Sequence, residues 1–121
     1  MTMIINPKEF DWAPPTTNID GSAVTPGELT GVTIGIRSTT ATGSVAGTYP
    51  IQIAVVGPTL TKELLTTAYA AGLAVLKPDT YMPSIREESV NGPSAWLIES
   101  AANTFQIVPP VPNPPTGFSV L

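Results

Sequence analysis

A chain of 121 residues, 42% apolar and only 12% charged, carries material for one core and lacks the charge density that keeps segments unfolded. Its net charge of −4, from five basic against nine acidic side chains, argues against nucleic acid as a ligand, because phosphate binding needs clustered cations. With no cysteine and no histidine the sequence excludes disulfides, thiolate metal sites and Ser-His-Asp or Cys-His nucleophile machinery.

Fourteen prolines and ten glycines cut the chain into short pieces filled with Thr, Val and Ile, the punctuation of an all-β domain. Residues 1–7 read as an N-terminal extension or a short first strand. The apolar run there stops at Ile4-Ile5 with no basic segment before it, so a secretory leader is not expected. Residues 8–13 alternate as Phe10-Asp11-Trp12 and end at Pro14-Pro15, which predicts a strand.

Residues 29–38 give the clearest strand. Val32, Ile34 and Ile36 share one face at period two, and Thr33, Gly35 and Arg37 share the other. Residues 48–56 predict its antiparallel partner, with Tyr49, Ile51, Ile53 and Val55 on one face. The best apolar run, residues 51–56, is interrupted by Gln52 and closed by Gly57-Pro58, far short of the roughly 18 residues a membrane helix needs. Residues 60–76 carry two signals: Leu60, Leu64, Ala68 and Gly72 at helical spacing, and Thr59, Thr61, Thr66 and Thr67 favouring a strand. A strand over residues 59–67, followed by a loop or one helical turn, is the expectation.

Residues 80–89 and 94–108 flank Val90-Asn91-Gly92-Pro93, whose Asn-Gly pair is a strong hairpin signal, so they predict a terminal hairpin. Pro83 is expected to interrupt its first strand. The last thirteen residues hold five prolines, at 109, 110, 112, 114 and 115, and favour an extended arm that ends in Gly117-Phe118-Ser119-Val120-Leu121.

The segment Phe10-Asp11-Trp12-Ala13-Pro14-Pro15, with Asn18-Ile19-Asp20-Gly21 after it and Leu29-Thr30-Gly31-Val32 beyond, resembles the B strand, B–C loop and C strand of bacterial and phage fibronectin type III domains. Leu76-Lys77-Pro78-Asp79-Thr80-Tyr81 is similar to the tyrosine corner of that family. The resemblance covers about residues 10–108. It implies an antiparallel two-sheet β-sandwich of the fibronectin type III and immunoglobulin-like kind over residues 8–108, followed by the proline-rich arm at 109–121. It further implies that Trp12 anchors the core and that Tyr81 buries its ring while its hydroxyl bonds nearby backbone.

Several polar groupings read as structure rather than chemistry. Glu87-Glu88 are adjacent on a strand and point to opposite faces, so they cannot close on one bond. Asn18-Ile19-Asp20-Gly21-Ser22 spaces oxygens like a calcium loop, but Ala23 and Leu29 stand where the glycine and the bidentate Glu belong, leaving a turn and no metal. Ser44 lies in a Gly-rich turn without nucleophile-elbow spacing. Trp96 stays open between core packing and partner contact. The arm is the segment with most functional promise, through Pro112, Pro114, Pro115, Phe118, Val120 and Leu121.

The expected protein is therefore non-enzymatic and cofactor-free. A single fibronectin-like domain, few charges, no leader and a proline-rich arm together lead to the expectation of a phage virion protein that decorates or stabilises a capsid. Its partners would be the major capsid protein and neighbouring copies of itself, with neither nucleic acid nor membrane involved. The alternatives are an extracellular bacterial module that binds carbohydrate or another surface, and one repeat of a larger adhesin-like array.

Overall fold

The computed structural model describes residues 3–57, 61–64, 76–108 and 112–121. Its centre is β3 (Leu29–Ser38), where period-two alternation and β-branched side chains produce a strand with apolar groups on one face only. β4 (Ile51–Val56) pairs antiparallel with β3, placing Val32 opposite Val55, Ile34 opposite Ile53 and Ile36 opposite Ile51. β6 (Asp79–Ser89) pairs antiparallel with the other edge of β3, bringing Ile85 opposite Ile34 and Pro83 opposite Ile36. A bulge between Leu29 and Gly31 opens this ladder. There Gly31 has φ 153°, and a side chain would meet the Val55 carbonyl oxygen.

Two short strands complete this sheet. β7 (Phe105–Ile107) runs antiparallel to the start of β6, and β1 (Ile4–Ile5) lies parallel to β7, giving the order β1-β7-β6-β3-β4. The sheet is thus mixed, where all strands were expected antiparallel. The first and last strands of the chain meet in the same direction because the whole domain serves as their crossover. Asn6 ends β1 at φ 46° and turns its side-chain amide to Val108, donating from Nδ2 to the Val108 carbonyl (3.0 Å) and accepting from the Val108 amide (2.9 Å).

β2 (Glu9–Asp11) and β5 (Lys62–Leu64) form a second, antiparallel two-stranded sheet. Phe10 and Trp12 from its inner side pack on the core formed by Val32, Ile34, Ile36, Ile53, Val55, Tyr81 and Phe105. Phe105, fully buried, sits between Phe10 and Tyr81, at ring-centroid distances of 6.0 and 5.6 Å. Among the described residues the fold is all-β and sandwich-like, with one 3-10 turn (Ala101–Asn103). The strand expected over residues 59–67 is seen as β5, while residues 58–60 and 65–75, including most of the ambiguous segment, lie outside the described residues.

Four features depart from expectation. The strand expected over residues 48–56 begins only at Ile51, after Pro50, and Tyr49 turns to the opposite face from Ile51, Ile53 and Val55, where its ring covers Gly35. Pro83 does not interrupt β6. Thr39 donates to the Thr80 carbonyl across the β3–β6 ladder, so the even-numbered residues of β6 face β3 and Pro83 faces away. The missing donor is felt instead by the strand expected over residues 94–108. Leu97 bonds the Ile85 carbonyl, the chain then leaves the sheet opposite Pro83, and pairing resumes at Phe105 opposite Tyr81. At the tip, Gly92 donates to the Ser89 carbonyl and takes φ 107°, so Val90 and Asn91 hold the corners and Gly92 comes after them.

Candidate functional site

The detour that Pro83 causes carries Glu99 across the back face of the sheet. Its carboxylate accepts both Nε (2.8 Å) and Nη2 (2.6 Å) of Arg37, a bidentate pair of mostly buried side chains, and also the Tyr49 hydroxyl (2.7 Å). Arg37 Nη1 donates to Ser44 Oγ (3.0 Å), which ties the Gly-rich loop to β3. The Arg37 guanidinium holds the Glu99 carboxyl below its ordinary value, with the Tyr49 hydroxyl adding to this against the opposing effect of burial.

Trp96 joins this back-face cluster. Its ring lies 4.7 Å from that of Tyr49, and the Arg86 guanidinium stands 4.7 Å from its centroid. Arg86 donates from Nε to Glu88 (2.8 Å), which also accepts the Thr33 hydroxyl (2.7 Å). Burial raises the Glu88 carboxyl, and these two donors outweigh it, so that its pKa is lowered overall. Glu88 thus shares the back face with Thr33, while Glu87 sits opposite Val32 of the core face. The adjacent pair is split across the sheet.

On the core face, opposite Ser38 and one residue along from Arg37, Tyr81 buries its ring and donates its hydroxyl to the Lys77 carbonyl, four residues upstream, at 2.7 Å. Beside it lies a groove of about 390 Å³ lined mainly by apolar surface, including Ile36, Pro50, Ile51 and Leu76. Asp79 at its rim accepts from Ser38 Oγ, Thr40 Oγ1 and the Thr80 amide, which together hold its carboxyl below the ordinary value. Asp20 likewise accepts the Ser22 amide and hydroxyl (2.9 and 2.6 Å), and Gly21 takes φ 87°, forming a side-chain-closed turn. Among the described residues no three acidic side chains converge on one point.

The arm is built differently. Residues 112–121 are exposed throughout, and Phe118, Val120 and Leu121 are 88%, 89% and 115% exposed relative to an extended reference. Pro112, Pro114 and Pro115 restrict φ and remove backbone donors, and Thr116-Gly117 bends before the apolar tip, with φ 72° at Gly117. Among the described residues no hydrogen bond joins this arm to the sandwich. Trp96 is half-buried in the back-face cluster and the six arm residues are solvated, so the residues singled out in the sequence fall into two separate groups.

Sequence reasoning passed over Arg37, Tyr49 and Glu99. The available signal was that Glu99 is the sole charged residue between Ser94 and Pro110, and a lone charge in an apolar stretch needs a partner. It also passed over β4 as the outer strand of its sheet. Comparison with protein-family models, with curated proteins and with solved structures gave no match.

Proposed function

We propose that the chain is a non-catalytic structural module, an immunoglobulin- or fibronectin type III-like sandwich that docks into a larger protein assembly through its C-terminal arm. The setting we propose is a phage capsid, with the module as a decorating or stabilising subunit. The observation that carries the docking role is the solvent exposure of Phe118, Val120 and Leu121 on a segment that prolines hold extended. Burying each of these side chains stabilises a complex by about 1.5–3 kcal/mol, and repetition over many copies multiplies the effect.

Two features support the fold part of the reading. Sheet β2-β5 opposite β7-β6-β3-β4 has the arrangement in which strands B and E face G, F, C and C′, and the Tyr81 hydroxyl on the Lys77 carbonyl has the geometry of a tyrosine corner. The absence of charged side chains from residues 109–121 supports a partner surface that is apolar rather than ionic.

The test is assembly. Deleting residues 109–121 should abolish incorporation into purified capsids in co-expression with the major capsid protein, while the thermal unfolding midpoint of the sandwich stays unchanged. Incorporation of the full-length protein should be insensitive to salt, since no ion pair is at stake. Equal occupancy by the truncated protein would overturn the proposal.

A further inference from the structure

β4 is the outermost strand of the five-stranded sheet. Among the described residues it pairs with β3 alone. Gly57 donates to the Thr30 carbonyl, which sets the phase of the ladder. In this register Val55, Ile53 and Ile51 turn their backbone groups to β3, whereas Gln52, Ala54 and Val56 turn theirs outward. The same three side chains are exposed, Val56 at 85%. Proteins guard such an edge with Lys, Pro, a bulge or shortness. β4 has none of these guards: its six residues, Ile-Gln-Ile-Ala-Val-Val, are uncharged, free of proline and regular in register.

The same chain carries a segment suited to that edge. Phe118-Ser119-Val120-Leu121 is uncharged, lacks proline, has strand-compatible side chains and is not occupied by its own sandwich. Extended, these four residues span about 13 Å, which fits within the roughly 20 Å of β4. Pro112, Pro114 and Pro115 keep the preceding part out of any ladder, so pairing is confined to the tip.

We infer that the tip of the arm, residues 117–121, adds as an extra strand to the outward edge of β4, unpaired among the described residues, in a second copy of this chain. The contact is head-to-tail, so each copy donates one arm and accepts another, and the copies join as a ring or an open row. Main-chain bonds to Gln52, Ala54 and Val56 supply affinity, and the alternation of Phe118 and Val120 against Ser119 and Leu121 supplies register. This inference rests on reading the arm as a docking element and names its acceptor.

Sedimentation velocity of the full-length chain over a concentration series tests it, together with amide hydrogen exchange at Gln52, Ala54 and Val56. The expected result is association that rises with concentration, with slower exchange at these three amides. Ala54→Pro removes an outward N–H without touching the β3 ladder and should weaken association about tenfold. Val56→Lys, which places a guard on the edge and leaves the backbone intact, should do the same and covers a failure of the proline variant to fold. Deleting residues 112–121 should abolish association, and an excess of a peptide of residues 112–121 should restore the protection at the three amides. A monomer at every concentration, association indifferent to both edge variants, or protection independent of concentration would overturn the inference. Loss of capsid incorporation on deleting the arm, but not with Val56→Lys, would overturn the β4 acceptor and leave the docking role standing.

Discussion

Gly35 decides how the back face is built. It sits in the middle of the central strand, and a β-carbon there would lie 2.5 Å from Cγ of Tyr49 and 2.8 Å from its Cβ and Cδ2. The aromatic ring therefore occupies the space a side chain would take, and from there it reaches Glu99 and Trp96. Gly35→Ala must expel the ring, breaking its hydroxyl bond to Glu99 and its contact with Trp96 together. We expect a loss of about 2 kcal/mol in urea unfolding, with a red shift of tryptophan emission as Trp96 gains water. An alanine variant as stable as the parent would mean that the ring is not held by this fit. Tyr81 was legible through a resemblance carried by one short run, Leu76-Lys77-Pro78-Asp79-Thr80-Tyr81, which holds both the ring and its hydroxyl's partner. Tyr49 was not, because its partners Gly35, Trp96 and Glu99 are far apart in the chain, and period-two alternation across Pro50 assigns it to the wrong face.

Among the elements, β3 could be read to the residue because its apolar side chains fall on alternate positions, and a slip of one position would move the whole set off the core face. The hairpin after it was read less well. Pro83 was expected to stop its own strand, but a proline in a strand withholds a donor only from the neighbour it faces, and the sequence does not say which neighbour that is. The exposed, proline-rich segment 112–121 was anticipated from its prolines and its lack of charge. The β4 edge was not, since Ile51–Val56 reads the same for a central strand as for an outer one. A short first strand was one of two readings of residues 1–7, but the parallel pairing of β1 was not legible, because it is set by Asn6, whose side-chain amide stands in for a peptide group against Val108 while its own N–H bonds the Gln106 carbonyl (2.9 Å). Asn6→Ala removes both side-chain bonds and leaves a β-carbon at φ 46°, so it should cost about 1–2 kcal/mol and speed amide exchange at Asn6 and Val108. Asn6→Gly keeps the backbone angle accessible and should cost less. Equal losses in the two variants would assign the whole effect to the hydrogen bonds.

The whole molecule has a pH response fixed by which groups it contains. Without histidine or cysteine, no side chain of ordinary acidity titrates between about pH 5 and 8, so stability should be nearly flat there. On the acid side the carboxyls divide. Glu99, Glu88, Asp79 and Asp20 have lowered values in the fold, so each contributes stability above its unfolded value and loses it as the pH falls through the lower, folded one. Glu87, raised by burial and then by the Glu88 charge, and Glu9, raised chiefly by its bond with Asp11, act in the opposite sense and soften the fall. Glu99 should dominate because its protonation also strands the Arg37 guanidinium, which is largely withdrawn from water. On the alkaline side, burial raises both Tyr49 and Tyr81, so their contributions persist below the unfolded tyrosine value and are lost as the pH rises past about 10. The thermal midpoint should therefore form a plateau through neutrality, with an acid limb below about pH 4 and an alkaline limb above about pH 10. Glu99→Gln should lower the plateau and flatten the acid limb, because the variant has lost the group whose protonation steepens it. An acid limb of unchanged slope in that variant would place the acid sensitivity of the fold at Asp79 or Glu88 rather than at the back-face pair.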